Sequence, residues 1–261
     1  MPGFWTFSIS FFRALPPRGK RILLAFIVFI LLTEIAVWFV FHVSDDEIKL
    51  TPLQILNIQE YSRFKSAKTG AEKGDAQALY EMATMYRSGA GVSKNYNKAV
   101  KSFIQSAKQG HTQSQYVLGT LYDKGEGVPQ SYARAAEWYE IAAHIGNHME
   151  AQYALANFYF NGRGVPHDYL MAIKWYRKAA GKGHPTAQYL LGTFYAEGWG
   201  VERDFLEAYI WFSLAARKAD QVKAEKFSYN PVQSLKTLKL KMTEVQINSA
   251  ERALAEWQAD K

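Results

Sequence analysis

Apolar residues along this chain follow two patterns. From Ile22 to Val43 they run nearly unbroken, ILLAFIVFILLTEIAVWFVFHV, and 16 of these 22 residues are Leu, Ile, Val or Phe. As a helix the stretch is roughly 33 Å long at 1.5 Å per residue, enough to cross the hydrocarbon core of a bilayer. Further along, apolar positions recur every three or four residues and are interrupted by glycine at regular intervals. The first pattern predicts one transmembrane helix, and the second predicts a series of short amphipathic helices.

Within the apolar run each Leu, Ile, Val or Phe favours insertion by roughly 0.3 to 0.6 kcal/mol, whereas one central charge opposes it by roughly 2.5 to 3.5 kcal/mol. Glu34 therefore does not prevent insertion. A cleavable signal peptide would have an apolar region of about 7 to 15 residues followed by small residues. This run is longer and ends in FVFHVSDDE, so it reads as an uncleaved anchor. Arg13, Arg18, Lys20 and Arg21 precede it, and Asp45, Asp46 and Glu47 follow it. That asymmetry puts the N-terminus in the cytoplasm and the rest of the chain outside, with Phe4, Trp5, Phe7, Phe11 and Phe12 at the cytoplasmic interface. Glu34 lies near the midplane, where an ionisable group is costly unless it is protonated or partnered. It is a candidate for a helix–helix contact in the membrane, the alternative being a protonated side chain facing lipid or its own backbone.

Aligned on itself, the chain shows a period of 36 or 37 residues. The strings GAGV, GEGV, GRGV and GWGV begin at Gly89, Gly125, Gly162 and Gly198. Tyr86, Tyr122, Tyr159 and Tyr195 precede them in register. Ala99, Ala135, Ala172 and Ala208 follow, then Ala107, Ala143, Ala180 and Ala216. The one extra residue falls among Asn147 to Glu150. Each copy reads as two helices. In the first, Ala151, Leu155 and Tyr159, with Phe158, form an apolar stripe. The Gly-x-Gly ends that helix and permits a tight turn. Asn95, Ser131, Asp168 and Asp204 start the second helix as N-caps, and Gly74, Gly110, Gly146 and Gly183 close it. Small alanines allow close approach, while Trp138, Trp175 and Trp211 supply bulk. Such hairpins cannot bury their apolar faces alone and must stack.

The pattern A-x-Y-x-L-G-x-x-Y-x-x-G-x-G-V, then D-x-x-x-A-x-x-W-Y-x-x-A-A-x-x-G, resembles the Sel-one-like repeat, a branch of the tetratricopeptide superfamily. The resemblance covers about Asp75 to Asp220. Ser102 departs from it where later copies have tryptophan, as do Ala83 and Ala156 in place of glycine and Ala219 in place of a closing glycine. These departures suggest looser first and last units. The resemblance implies an all-α fold, an α/α superhelical solenoid with one concave surface, and an adaptor that assembles or regulates other proteins, in bacteria often in the cell envelope. The expected organisation is a cytoplasmic segment 1–21, a transmembrane helix 22–43, and a linker with capping helix 44–74. Repeats follow at 75–110, 111–146, 147–183 and 184–220, and C-terminal capping helices at 221–261. Thr243 and Gln246 form a capping box ahead of the last helix.

The net charge of +7 drops to +3 once the four basic residues before Ile22 are set aside, which argues against nucleic acid as a partner. With no cysteine the chain has neither disulfides nor a thiolate metal site. The Gly-x-Gly-Val strings are explained by turn geometry rather than phosphate binding. His111 and His184 read as loop residues. His144 and His148 stand four apart, but Gly146 and Asn147 break the helix that would align them as metal ligands. No cofactor, metal or catalytic residue is expected. Ser62-Arg-Phe-Lys65, Lys68-Thr-Gly70 and Ser228-Tyr-Asn230 echo the strings of penicillin-recognising serine enzymes, and some disulfide-stapled members of the resembling family are associated with penicillin binding. Here the Lys-Thr-Gly string lies in a helical segment three residues after the first, not last on a strand as those enzymes need.

A protein-binding scaffold is therefore the leading expectation, ahead of a recogniser of cell-wall glycan or peptide and of a weak hydrolase. The candidate partner-binding residues are Tyr80, Tyr116, Tyr153 and Tyr189, each in the same register on a first helix and pointing away from its core stripe. Thr84, Thr120, Asn157 and Thr193 lie one turn on. Such tyrosines either face a binding groove or wedge between neighbouring first helices. The expected site of action is the inner membrane, with the repeats periplasmic; the absence of any Asn-x-Ser/Thr sequon favours a bacterial envelope. A reporter fused after Lys261 is expected to be active only outside the cytoplasm, and activity confined to the cytoplasm would reverse the topology.

Overall fold

The computed structural model describes residues 52–226 and 228–259; the expected membrane helix at 22–43, with Glu34, lies outside the described residues. The chain divides into two compact units, Met1–Leu56 and Asn57–Lys261, and the second carries all four repeats. Among the described residues there are only helices, none of them long and apolar enough to cross a membrane.

Helix α1 spans Pro52–Glu72. Four hairpins follow: α2 (Ala76–Ser88) with α3 (Tyr96–Lys108), α4 (Thr112–Lys124) with α5 (Tyr132–His144), α6 (Met149–Asn161) with α7 (Tyr169–Gly181), and α8 (Pro185–Glu197) with α9 (Phe205–Ala216). Helices α10 (Ala219–Glu225), α11 (Pro231–Lys239) and α12 (Glu244–Ala259) close the array. From α2 to α9 each helix packs on its neighbours in sequence; α11 and α12 cover α9, and α10 lies against α8. This is the nearest-neighbour packing of a solenoid. Trp175, Tyr139, Tyr176, Phe103 and Phe194 are its largest fully buried side chains, each worth roughly 1.5 to 3 kcal/mol or more of transfer free energy. Ala83, one of the departures expected to loosen the first unit, is wholly buried, as is Ala156 in the third.

The caps follow from the sequence. Asn95, Ser131, Asp168 and Asp204 accept hydrogen bonds through their side chains from the first-turn amides of α3, α5, α7 and α9. Their own amides donate to the carbonyls of Tyr86, Tyr122, Tyr159 and Tyr195, which ties each second helix to the end of the first. Thr243 and Gln246 exchange the two hydrogen bonds of a capping box. At the third junction the left-handed residue is Asn147, not Gly146. Gly146 is needed for a different reason, because a Cβ there would collide with the side chain of Thr112.

Contacts between repeats go beyond what the turns require. The first glycine of each Gly-x-Gly is a left-handed C-cap. The second also has positive φ and, in addition, presses on the start of the preceding second helix: Gly127 on Tyr96, Gly164 on the backbone of Tyr132, Gly200 on Tyr169. In the first repeat Gly91 presses in the same way on the backbone of Glu60 in α1. Buried glutamines add a second tie. Gln115, Gln152 and Gln188 each donate to a carbonyl in the last turn of the preceding helix, Ala107, Ala143 and Ala180, at 3.1 to 3.2 Å. Leu79 takes that place in the first repeat and is buried instead.

The third tie is a histidine. His111, His148 and His184 are the N-caps of α4, α6 and α8, where His111 and His184 were expected to be plain loop residues. In each, Nδ1 accepts from a backbone amide at 3.2 Å, so Nε2 carries the proton and donates. The acceptors are Gln77, Gln113 and Glu150, equivalent residues of the preceding repeats. Protonation would abolish the Nδ1 acceptor, and burial holds His111 and His148 below the ordinary value of 6.5.

Two outcomes follow for folding. Gly162→Ala places a Cβ in ordinary contact with His167 and is expected to cost only the left-handed penalty of about 1 to 2 kcal/mol. Gly164→Ala meets the Tyr132 backbone as well and should cost clearly more in parallel urea unfolding; equal losses would show that the inter-repeat approach is not limiting. The histidines make stability pH-dependent. Because their native values lie below 6.5, the unfolded chain takes up protons first as pH falls. Stability should hold steady above about pH 7, fall through about 6.5 and level off below the depressed native values. Replacing His111 and His148 with Asn, a good cap that does not titrate, should flatten the urea midpoint across that window.

Candidate functional site

One face of the array is built from the first helices. Tyr80, Tyr116, Tyr153 and Tyr189 occupy one register there, and all four are half-buried. Each ring packs on an aromatic residue of its own second helix: Phe103, Tyr139, Tyr176 and Phe212, with centroids 5.7 to 6.1 Å apart. The other side of each ring meets the next repeat. Tyr80, Tyr116 and Tyr153 lie on His111, His148 and His184 at 4.9, 4.7 and 4.2 Å. Tyr189 has no following repeat and meets Tyr229 at 4.9 Å. Each tyrosine is thus clamped within its hairpin and against the junction.

The residues one turn on behave in two ways. Thr84, Thr120 and Thr193 donate their hydroxyls to the carbonyls of Tyr80, Tyr116 and Tyr189 in their own helices. Asn157 instead reaches α7, accepting from the Tyr176 hydroxyl at 2.6 Å. Tyr116, Tyr153 and Asn157 come together in a cavity of about 380 Å³. Phe158 and Ala154 supply its apolar lining, and Asp123, Glu150, Asn161 and Arg163 its polar lining. Glu225, Lys226 and Tyr229, from the segment after α9, form the remaining wall. Tyr189 and Thr193 border a separate cavity of about 260 Å³ against α11. Tyr80, Thr84 and Thr120 line neither.

Charge in the larger cavity is mixed. The hydrogen bond from His184 holds the Glu150 carboxyl below the usual carboxylate range. Burial raises Asp123, with Arg163 pulling the other way. Burial also raises the hydroxyls of Tyr116 and Tyr153, helped by the negative charge of Glu225, so both remain donors across the physiological range. Tyr153 uses its proton on Glu225 Oε1 at 3.1 Å. The cavity therefore offers aromatic faces, hydroxyl donors, an amide and both signs of charge.

The strings that echo serine enzymes are kept apart. Ser62, Lys65, Lys68 and Thr69 stand on α1 ahead of the first repeat, whereas Tyr229 packs on the fourth. The Thr69 hydroxyl is spent on the Lys65 carbonyl. Sequence reasoning missed His148, Glu225 and Tyr229. A signal for the first was present: allowing for the inserted residue, His111, His148 and His184 are spaced 37 and 36 apart like the glycines. Nothing in the repeat register marks Glu225 or Tyr229.

The Sel1 repeat profile matches residues 76–111, 112–147, 150–184 and 185–220, more than half of the chain. Among solved structures, a protective antigen of uropathogenic Escherichia coli strains with an SLR fold is 31% identical, with a TM-score of 0.60. The match covers 74% of this chain and 40% of that one, so this chain spans well under half of the antigen's length. A Sel1 repeat protein from Oxalobacter formigenes is 26% identical with a TM-score of 0.57, over 75% of this chain and 88% of that one. No curated protein sequence matches at a significant level. With four profile matches laid over four observed hairpins, the chain belongs to the Sel1 repeat family.

Proposed function

We propose that the chain is a single-pass, membrane-anchored adaptor of the cell envelope that holds a protein partner along its first-helix face. Proteins with Sel1 repeats generally mediate protein–protein contacts and are generally non-enzymatic. The observation that carries the reading here is the 380 Å³ cavity between the second and third repeats, one wall of which is made by Glu225, Lys226 and Tyr229, with Glu225 accepting from the Tyr153 hydroxyl. Tyrosines on a rigid scaffold give contact area and a hydrogen bond at little entropic cost, because the packing on both sides of the ring has already fixed them. Asn161 and Arg163 remain exposed at the rim and supply adaptable polar contacts. The apolar run at 22–43 and the basic residues before it support the anchor, the cytoplasmic N-terminus and the periplasmic placement of the repeats.

The test places a photocrosslinking residue at exposed Asn161 in the full-length protein in its own membrane, with exposed Lys174 on α7 as the control. A discrete protein adduct at 161 and none at 174 is the expected outcome. Equal labelling at both positions, or no adduct at 161, would remove the groove as the binding surface.

A further inference from the structure

The tyrosine ladder has a register, and the chain breaks it once. Tyr80, Tyr116 and Tyr153 each meet the cap histidine of the following repeat, but at Tyr189 the ring of Tyr229 stands in for that histidine. Four residues earlier, Glu225 accepts from the Tyr153 hydroxyl. A carboxylate and a ring at positions i and i+4 of one segment therefore engage two successive rungs, in the third and fourth repeats.

The segment that makes these contacts is weakly held. Helix α10 has seven residues, too few to be stable alone, and its N-cap Lys218 makes no side-chain cap. Of the described side chains between 218 and 230, only Val222 is fully buried. A segment with so little buried surface opens at low cost.

We propose that the ligand of this groove is a partner peptide presenting a carboxylate and, four residues further on, an aromatic ring, and that residues 218–230 are the chain's own stand-in for it, displaced when the partner binds. This rests on the reading that the first-helix face takes a protein partner. The Tyr153 hydroxyl is a donor aimed at the incoming carboxylate, and the exposed face of Tyr189 receives the ring once Tyr229 leaves. Arg163, on the rim of the same cavity, offers a pairing group to a further acidic residue of the ligand. A tethered competitor acts at an effective concentration on the order of millimolar, so a free peptide competes poorly while the segment is seated.

The probe is a fluorescent synthetic peptide of residues 218–230, titrated into the full-length chain in detergent. The Glu225→Ala/Tyr229→Ala double variant is expected to bind it at least tenfold more tightly than the wild type. Adding Tyr153→Phe, or changing the peptide's glutamate to glutamine, should lower that affinity. Circular dichroism melting of the double variant checks that it folds before it is titrated. Glu225→Gln, which keeps every apolar contact, should shift affinity the same way by a smaller factor and serves alone if the double variant does not fold. Equal affinity for wild type and Glu225→Gln, or binding indifferent to Tyr153→Phe, overturns the inference. Adducts at Asn161 with unchanged peptide affinity overturn it and leave the groove reading standing. Tighter peptide binding with no adduct at Asn161 overturns the partner reading and the displacement with it.

Discussion

Neighbouring repeats approach so closely that at one point in each junction a side chain cannot fit, and the rest of the array depends on that approach. Gly164 against the Tyr132 backbone is the plainest case. A larger residue there would have to tilt one hairpin away from the next. That tilt would separate His148 from Gln113 and the Tyr116 ring from His148, both of which span the same junction. The glycine contributes no attraction of its own. It sets the distance at which a cap, a stack and a buried glutamine bond can form together, so these terms are coupled rather than independent.

Much of this was legible in the residues. The hairpins, the four N-caps of the second helices and the left-handed turn glycines follow from local chemistry that acts within a few positions of the chain. Those rules are the same wherever the segment sits in the fold. The second glycine's role was not visible, because a positive φ already accounts for it and its collision partner lies a full repeat away. His148 was hidden by one inserted residue, which sets it one position further from its closing glycine than His111 or His184 and moved the left-handed role to Asn147. The ladder tyrosines were found by register, yet register alone does not say which of their two sides faces a neighbour. The segment after Asp220 lies beyond the repeats, so no periodicity points to where it packs.

The junction also explains why polar groups line a face built from apolar helices. Each cap histidine must remain neutral to hold its amide, and so it needs an acceptor for Nε2. The preceding repeat meets that need with Gln77 and Gln113, and then with a carboxylate, Glu150. The change from amide to carboxylate falls at the junction that borders the larger cavity. There it adds negative charge beside Tyr116, on a carboxylate that the His184 N–H holds by a hydrogen bond.

Tyr229 carries a consequence for how such an array grows. Every internal junction ends in a histidine that a further hairpin could extend, since the same cap, stack and acceptor recur at each step. At the fourth repeat that position is taken by a ring from the segment after the array, and Tyr229 itself caps no helix. A duplicated hairpin spliced in after residue 146 would meet ready-made neighbours on both sides. One added after Asp220 would first have to evict Tyr229 before its own cap could stack on Tyr189.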